Sequence, residues 1–439
     1  MSPFSPEKVA CPLFPCPLFP LMNTILVLSM ACAGCAATQE DDPSQLLVDV
    51  DPQADIGSLG KALSGYASER RIATALHLYE NADANDQKAK FLRLLREYVR
   101  SGVPTSLQQR VESVAASAIR DHDGDLAADA VLLLFFAKVA NRKQIVHEAL
   151  AETQEASVIH GIFLSLGVLA RQSDSQAMDV ILNEITSLTS AAGQKTGDAQ
   201  IRRVRLANAL EALRCAGGPP ANLTKTVGDA VLDALESDPK VAECAIPALI
   251  DLRPENLDEG LIRAYAKAES AYTHIPIAAG LIVLGIKPDA KFGFLRSFDL
   301  AVEKGTPEFV IFLARWISFV ATHTEDLALL EHINKGTRLL PPETAADVFT
   351  RMLIQMQDRP QLVLVAIAHL PDDDLERLLQ ASPLFTGVLR VSLQIDEARM
   401  PAEAVTRLKQ FLAKSAGAAS ADEGLERGDS DSADAPTTQ

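Results

Sequence analysis

Leu232-Asp233-Ala234-Leu235-Glu236-Ser237-Asp238-Pro239-Lys240-Val241-Ala242-Glu243-Cys244-Ala245-Ile246-Pro247-Ala248-Leu249-Ile250-Asp251-Leu252 is the stretch from which the fold is read. Val241, Ala245, Ala248, Leu249 and Leu252 fall at i, i+4, i+7, i+8 and i+11, which places all five on one stripe of a helix. Asp238-Pro239 ahead of them is corner chemistry: an acid that accepts amide hydrogen bonds, then a proline that tolerates only the first turn. Working outward, the same pattern recurs. Phe91, Leu92, Leu94, Leu95 and Tyr98 pattern one helix, and Val111, Val114, Ala115 and Ile119 the next. Asp125 to Ala140 and Ala156 to Ala170 are apolar nearly all round, as buried central helices are. Gly217-Gly218-Pro219-Pro220 and Pro341-Pro342-Glu343-Thr344 supply helix ends and starts. No period-two alternation appears between Lys61 and Leu412, and aromatic residues make up only 5% of the chain.

Helix starts placed at Asp125, Glu155, Asp198, Asp238, Tyr272, Thr306 and Glu343 recur every 30 to 43 residues, with room for a second helix in each interval. That period is the one expected of stacked helical hairpins, each of which buries its apolar face only against its neighbours. The expected fold class is therefore all-α, an α-solenoid of antiparallel hairpins. Leu232 to Leu252 resembles a HEAT-type repeat: a first helix ends at Leu235-Glu236, Asp238-Pro239 makes the corner, and Val241, Ala245, Ala248 and Leu249 stand at second-helix core positions. Ala242 replaces the family's usual arginine, and Pro247 sits inside the second helix, where it removes a backbone hydrogen bond. The resemblance implies a curved superhelix whose inner face binds other proteins. A tetratricopeptide array fits less well, because Trp316 is the only tryptophan.

The N-terminal region points to a compartment. Cys11-Pro12-Leu13-Phe14-Pro15 repeats as Cys16 to Pro20, and the chain has methionines at both 1 and 22, either of which could be the start. Asn23 to Ala37 is apolar or small throughout, the length of a signal-peptide core and short of the ~20 residues a spanning helix needs. Its end, Ala33-Gly34-Cys35, resembles a bacterial lipobox, which implies lipid attachment at Cys35. Cys32 stands where that motif usually has leucine, and Lys8 is the only upstream base. Cys32 is an alternative acceptor, and cleavage after Ala33 without lipidation is a third option. The expected organisation is a signal over 1–35, an acidic tether over 36–60, a helical body over 61–412 and a disordered acidic tail over 413–439.

The charge follows that division. The chain of 439 residues carries 58 acidic and 41 basic residues, a net −17, of which −6 lies in 36–60 and −5 in 415–439. Without a basic footprint there is no counterion-release energy to gain from a duplex, so no nucleic-acid partner is expected. Six cysteines are too few for a disulfide scaffold.

No catalytic set, cofactor site or metal site is expected. Eight histidines are scattered without a His-Glu-x-x-His; His323 and His332 would share a broad side of one continuous helix, too far apart for one zinc ion. Asp121-His122-Asp123-Gly124-Asp125 begins like a calcium loop, but Leu126 and Leu132 occupy the positions of the turn glycine and the bidentate glutamate. A capping corner, with Gly124 turning the chain and Asp125 at the helix start, accounts for it. Ser58-x-x-Lys61 with Lys195-Thr196-Gly197 mimics two parts of a β-lactamase set and lacks the Ser-Asp-Asn. Gly60-Lys61 lacks the rest of a phosphate loop. Cys215 and Cys244 are expected to be buried and free, although neighbouring repeats could bridge them. Trp316, with Phe309, Phe312 and Phe319, is expected in the core rather than as a partner anchor.

The sequence thus points to an exported, lipid-anchored scaffold or adaptor on the periplasmic side of the cell envelope, with a protein partner of unknown identity. Ala36, not Asp, after the acceptor points to the outer membrane by resemblance to enterobacterial sorting. Two alternatives remain: an exported helical enzyme whose site is assembled from distant residues, and a cytosolic helical adaptor if 1–35 is not a signal.

Overall fold

The structure is a computed structural model that describes residues 47–190, 198–356 and 360–425, with side chains as far as residue 415. The described residues form twenty-one α-helices and no strand, so the fold is all-α. They divide into two compact units that meet in sequence at Ala268 and Glu269.

The first unit contains α1 (Ile56–Leu63), α2 (Ser68–Glu80), α3 (Asn85–Val99), α4 (Thr105–Ala118), α5 (Gly124–Phe136), α6 (Arg142–Glu152), α7 (Ala156–Arg171), α8 (Ser175–Thr189), α9 (Ala199–Cys215), α10 (Thr224–Ser237), α11 (Ala242–Leu252) and α12 (Leu257–Lys267). Helices two apart in sequence lie side by side: α3, α5, α7, α9 and α11 in one layer, and α6, α8, α10 and α12 in the other. This is the connectivity of stacked hairpins, and it is compatible with a solenoid.

The second unit holds α13 (Ala271–Val283), α14 (Ala290–Glu303), α15 (Pro307–Thr324), α16 (Leu327–Thr337), α17 (Pro342–Gln355), α18 (Gln361–Ala368), α19 (Asp372–Ala381), α20 (Pro383–Asp396) and α21 (Ala402–Leu425). It repeats the alternation, α13–α15–α17–α20 and α14–α16–α18–α21, with α19 inserted against α17, α20 and α21. All seven starts read from the sequence fall within one residue of a helical start: the 3-10 turn Pro239–Val241 that leads into α11, and α5, α7, α9, α13, α15 and α17.

Many polar ties follow the same period. Lys88–Asp121, Arg93–Asp129, Arg120–Glu152, Lys143–Asp179, Arg202–Asp238 and Arg214–Asp251 in the first unit each join residues 32 to 37 apart in sequence. Lys291–Asp326, His332–Asp299, Arg338–Asp374 and Arg407–Asp372 do so in the second. Each of these side chains therefore reaches across one repeat, because helices two apart run parallel and bring equivalent turns level.

Local details differ from the sequence reading in instructive ways. Helix α1 occupies Ile56–Leu63, where the tether was expected to continue to residue 60, and α21 runs on to Leu425, past the expected end of the body at Leu412. The apolar run 125–140 is helical only to Phe136, since Lys138 takes a left-handed conformation (φ 53°) and turns the chain. Asp123, not Asp125, caps α5: its carboxylate accepts from the amides of Asp125 and Leu126. Gly124 is the first helical residue, with no positive φ. What requires glycine there is contact: a β-carbon on Gly124 would lie 2.5 Å from the Ser157 carbonyl oxygen, and one on Gly161 would overlap the Gly124 carbonyl. Pro247 stands inside α11, as read.

Helix α15 ends on Glu325, an exposed residue in the left-handed region (φ 56°) whose amide donates to Ala321 O. A β-carbon is strained there. Glu325→Gly is expected to raise stability by about 0.5–1 kcal/mol, the relief of strain being partly offset by the freer unfolded chain; urea denaturation followed by circular dichroism measures it.

Candidate functional site

The candidate residues do not converge. Cys35 and Lys195-Thr196-Gly197 lie outside the described residues. Ser58 is in the first turn of α1, where its hydroxyl donates to Asp55 Oδ2 (2.6 Å) and its amide to Asp55 Oδ1. Those hydrogen bonds hold the Asp55 carboxyl below its usual range. Ser58 therefore belongs to a helix cap, and Gly60-Lys61 lies within the same helix instead of a phosphate-cradling loop.

Among the described residues no three His, Cys, Asp or Glu side chains gather around a common point. His323 and His332 lie on separate helices, α15 and α16. His323 packs against the Phe319 ring at 4.2 Å, and His332 Nε2 lies 2.6 Å from Asp299 Oδ1. His160 Nδ1 meets Asn208 Oδ1 at 2.9 Å; since the Asn208 amide donates to Val204 O, the imidazole is the donor there. Asp121 faces Lys88, so the acids of the calcium-like run point to different partners.

Neither Cys215 nor Cys244 is in a disulfide, and both are half-buried rather than buried. Arg214 pairs with Asp251 at 3.2 Å, a tie between α9 and α11. Trp316 is wholly buried, with Phe319 edge-on at 5.3 Å, as expected of a core residue.

Two features were not anticipated. Arg96 and Asp129, each 8% exposed at the side chain, form an ion pair of 2.7 Å between α3 and α5, and Arg93 adds a second contact at 2.9 Å. Burial pushes the Asp129 carboxyl up, and this outweighs the pull of the two guanidinium groups in the other direction.

The second feature is a cleft of about 590 Å³ beneath residues 47–53, which cross α2 and α3 as an extended strap. The Val48 amide donates to Thr74 Oγ1 at 3.0 Å, and the Lys90 ammonium donates to the carbonyls of Pro52 (2.7 Å) and Ala54 (3.1 Å). Gln87 reaches Gln53 at 3.2 Å. Leu47, Val50, Leu78 and Phe91 supply apolar wall, while Asp49, His77 and Asp83 are the titratable groups that line it. The Asn81 amide donates to the His77 carbonyl (2.8 Å) and approaches His77 Nδ1 at 3.1 Å, which places the imidazole proton on Nε2. A signal for the strap was present: Leu47, Val48 and Val50 are apolar residues within an otherwise acidic stretch, and such residues seek a surface.

Comparison with protein-family models and with curated proteins returns no match.

Proposed function

We propose that this chain is an exported helical-repeat scaffold, held to the periplasmic side of the cell envelope by lipid on Cys35, that binds another envelope protein through its helix faces. The carrying observation is the apolar run from Asn23 that ends in Ala33-Gly34-Cys35, placed ahead of an acidic stretch and a body of helical hairpins. Support from the body is of two kinds. Its repeats tie to one another through the one-repeat ladder of ion pairs, which leaves long exposed helix faces of the sort repeat arrays use for protein binding. No helix among the described residues is long and apolar enough to cross a membrane; in the lipoprotein reading several acyl chains hold the protein firmly, where one would bind only marginally. Sorting by Ala36 would take it to the outer membrane.

Cys35→Ala is expected to abolish incorporation of radioactive palmitate and to move the protein from the membrane fraction to the soluble fraction. Unchanged labelling would overturn the assignment of the acceptor, and unchanged fractionation the anchor itself. The strap-covered cleft, with its two carboxylates and one imidazole, is the observation that favours the second reading, an exported helical enzyme. Turnover assays on the purified protein separate the two.

A further inference from the structure

We infer that the cleft under the 47–53 strap is a binding site for an organic cation with an apolar body, that is, an alkyl or aryl amine. Three independent properties of the cleft lead there. Its volume, about 590 Å³, lies within the range of pockets that enclose small ligands. Its wall is divided between apolar surface, from Leu47, Val50, Leu78, Ala82 and Phe91, and a polar part on which Asp49 and Asp83 stand. No lysine or arginine lines it, and neither aspartate has a hydrogen-bond or ion-pair partner among the described residues.

The charges nearby do not cancel this sign. Lys90 is the cation closest in the chain to the strap contacts, and it is committed to the carbonyls of Pro52 and Ala54 and lies over the Phe91 ring at 4.8 Å. Lys88 faces Asp121 on the next repeat. An anion entering the cleft would meet two carboxylates and no cation among the lining residues, whereas an ammonium group would meet both carboxylates with favourable sign. An ammonium group on an apolar body satisfies the carboxylates and the apolar wall together. With Nδ1 turned to Asn81, His77 offers a ring N–H to the cleft rim, where it can donate to a hydroxyl or carbonyl on the same ligand. The strap forms one wall and is held by few hydrogen bonds, so a ligand seated there would also tie residues 47–53 to α2 and α3.

The site does not depend on the envelope reading and is tested separately with three probes of matched length: octylamine, octanol and octanoate. Titration calorimetry and saturation-transfer NMR on the purified protein are expected to show octylamine binding and octanoate not binding, with octanol weaker than octylamine. Asp49→Asn with Asp83→Asn, both exposed and without structural partners, is expected to weaken octylamine by about tenfold or more and to leave octanol unchanged. Leu78→Trp, which fills the cleft from α2, is expected to abolish binding of both. Equal binding of octylamine and octanoate, or full octylamine affinity in the double asparagine variant, would overturn the inference. So would octylamine binding that survives Leu78→Trp in a protein with an unchanged melting curve.

Discussion

Gly161→Ala is expected to be among the most damaging small substitutions in the first unit. Helices α5 and α7 approach backbone to backbone at this point. A β-carbon on Gly161 would overlap the Gly124 carbonyl oxygen and lie 3.0 Å from its carbon and 3.3 Å from the Ala128 amide nitrogen. These are main-chain atoms of a neighbouring helix, so no flexible side chain can move aside. The two helices would have to separate, and the Ser165 hydroxyl would lose its 2.8 Å hydrogen bond to Ala128 O one turn further along. Overpacking of a rigid contact costs about 3 kcal/mol at the upper end of the usual range. For a unit of this size that lowers the melting midpoint by roughly 6–12 °C. Gly387→Ala in α20 is the control: its β-carbon would meet nothing within 4 Å, so the change is expected to add about 0.5–1 kcal/mol through helix propensity. A Gly161→Ala protein that melts with the wild type would refute the close α5–α7 contact.

Arg96→Met is expected to destabilise by about 3–5 kcal/mol, because it leaves the Asp129 carboxylate in a nearly closed site with only Arg93, whose side chain is 46% exposed. The double variant Arg96→Met with Asp129→Leu is expected to recover most of that loss, since burial already outweighs the two guanidinium groups in setting the Asp129 protonation equilibrium. The pH dependence has a definite sign. A carboxyl whose folded pKa is raised binds its proton more tightly in the folded chain, so its contribution is fullest below the ordinary aspartate value and is lost as pH rises through the folded value. The penalty of Arg96→Met should therefore shrink between pH 7 and about pH 4. Glu236 behaves in the opposite sense. Its hydrogen bonds from Arg263 hold it low, so that pair contributes above the ordinary glutamate range and is lost on acidification. Urea unfolding of the single and double variants at the two pH values decides the matter; a double variant as unstable as the single one would show that the pair contributes net stability.

How much of this was legible can be argued from particular residues. The helix starts at Glu155, Asp198, Tyr272 and Thr306 were readable because a 3.6-residue apolar period acts locally, within a turn or two, and at Asp198 because its carboxylate accepts from the Gln200 amide. The left-handed conformation of Glu325, on which α15 ends, was not readable, since the sequence does not announce it. The first part of α1, residues 56–60, was read as tether because its acidic, glycine-containing surroundings masked Leu59, which is buried in the structure. Of the candidate site almost nothing was legible: Asp49, His77 and Asp83 form no motif, and they share a cleft only because the strap crosses α2 and α3.

The sequence by itself determined the fold class, the repeat period and the placement of charge, because each depends on patterns a few residues long. The tertiary structure alone decided what touches what one repeat away. Gly124 is required by the backbone of Ser157, Asp129 by Arg96, and the cleft by a strap laid over the first hairpin. The physical reason is the stacking of the hairpins: contacts between neighbouring repeats join residues some 32 to 37 apart, and their energies depend on burial and exact approach, which no local pattern encodes.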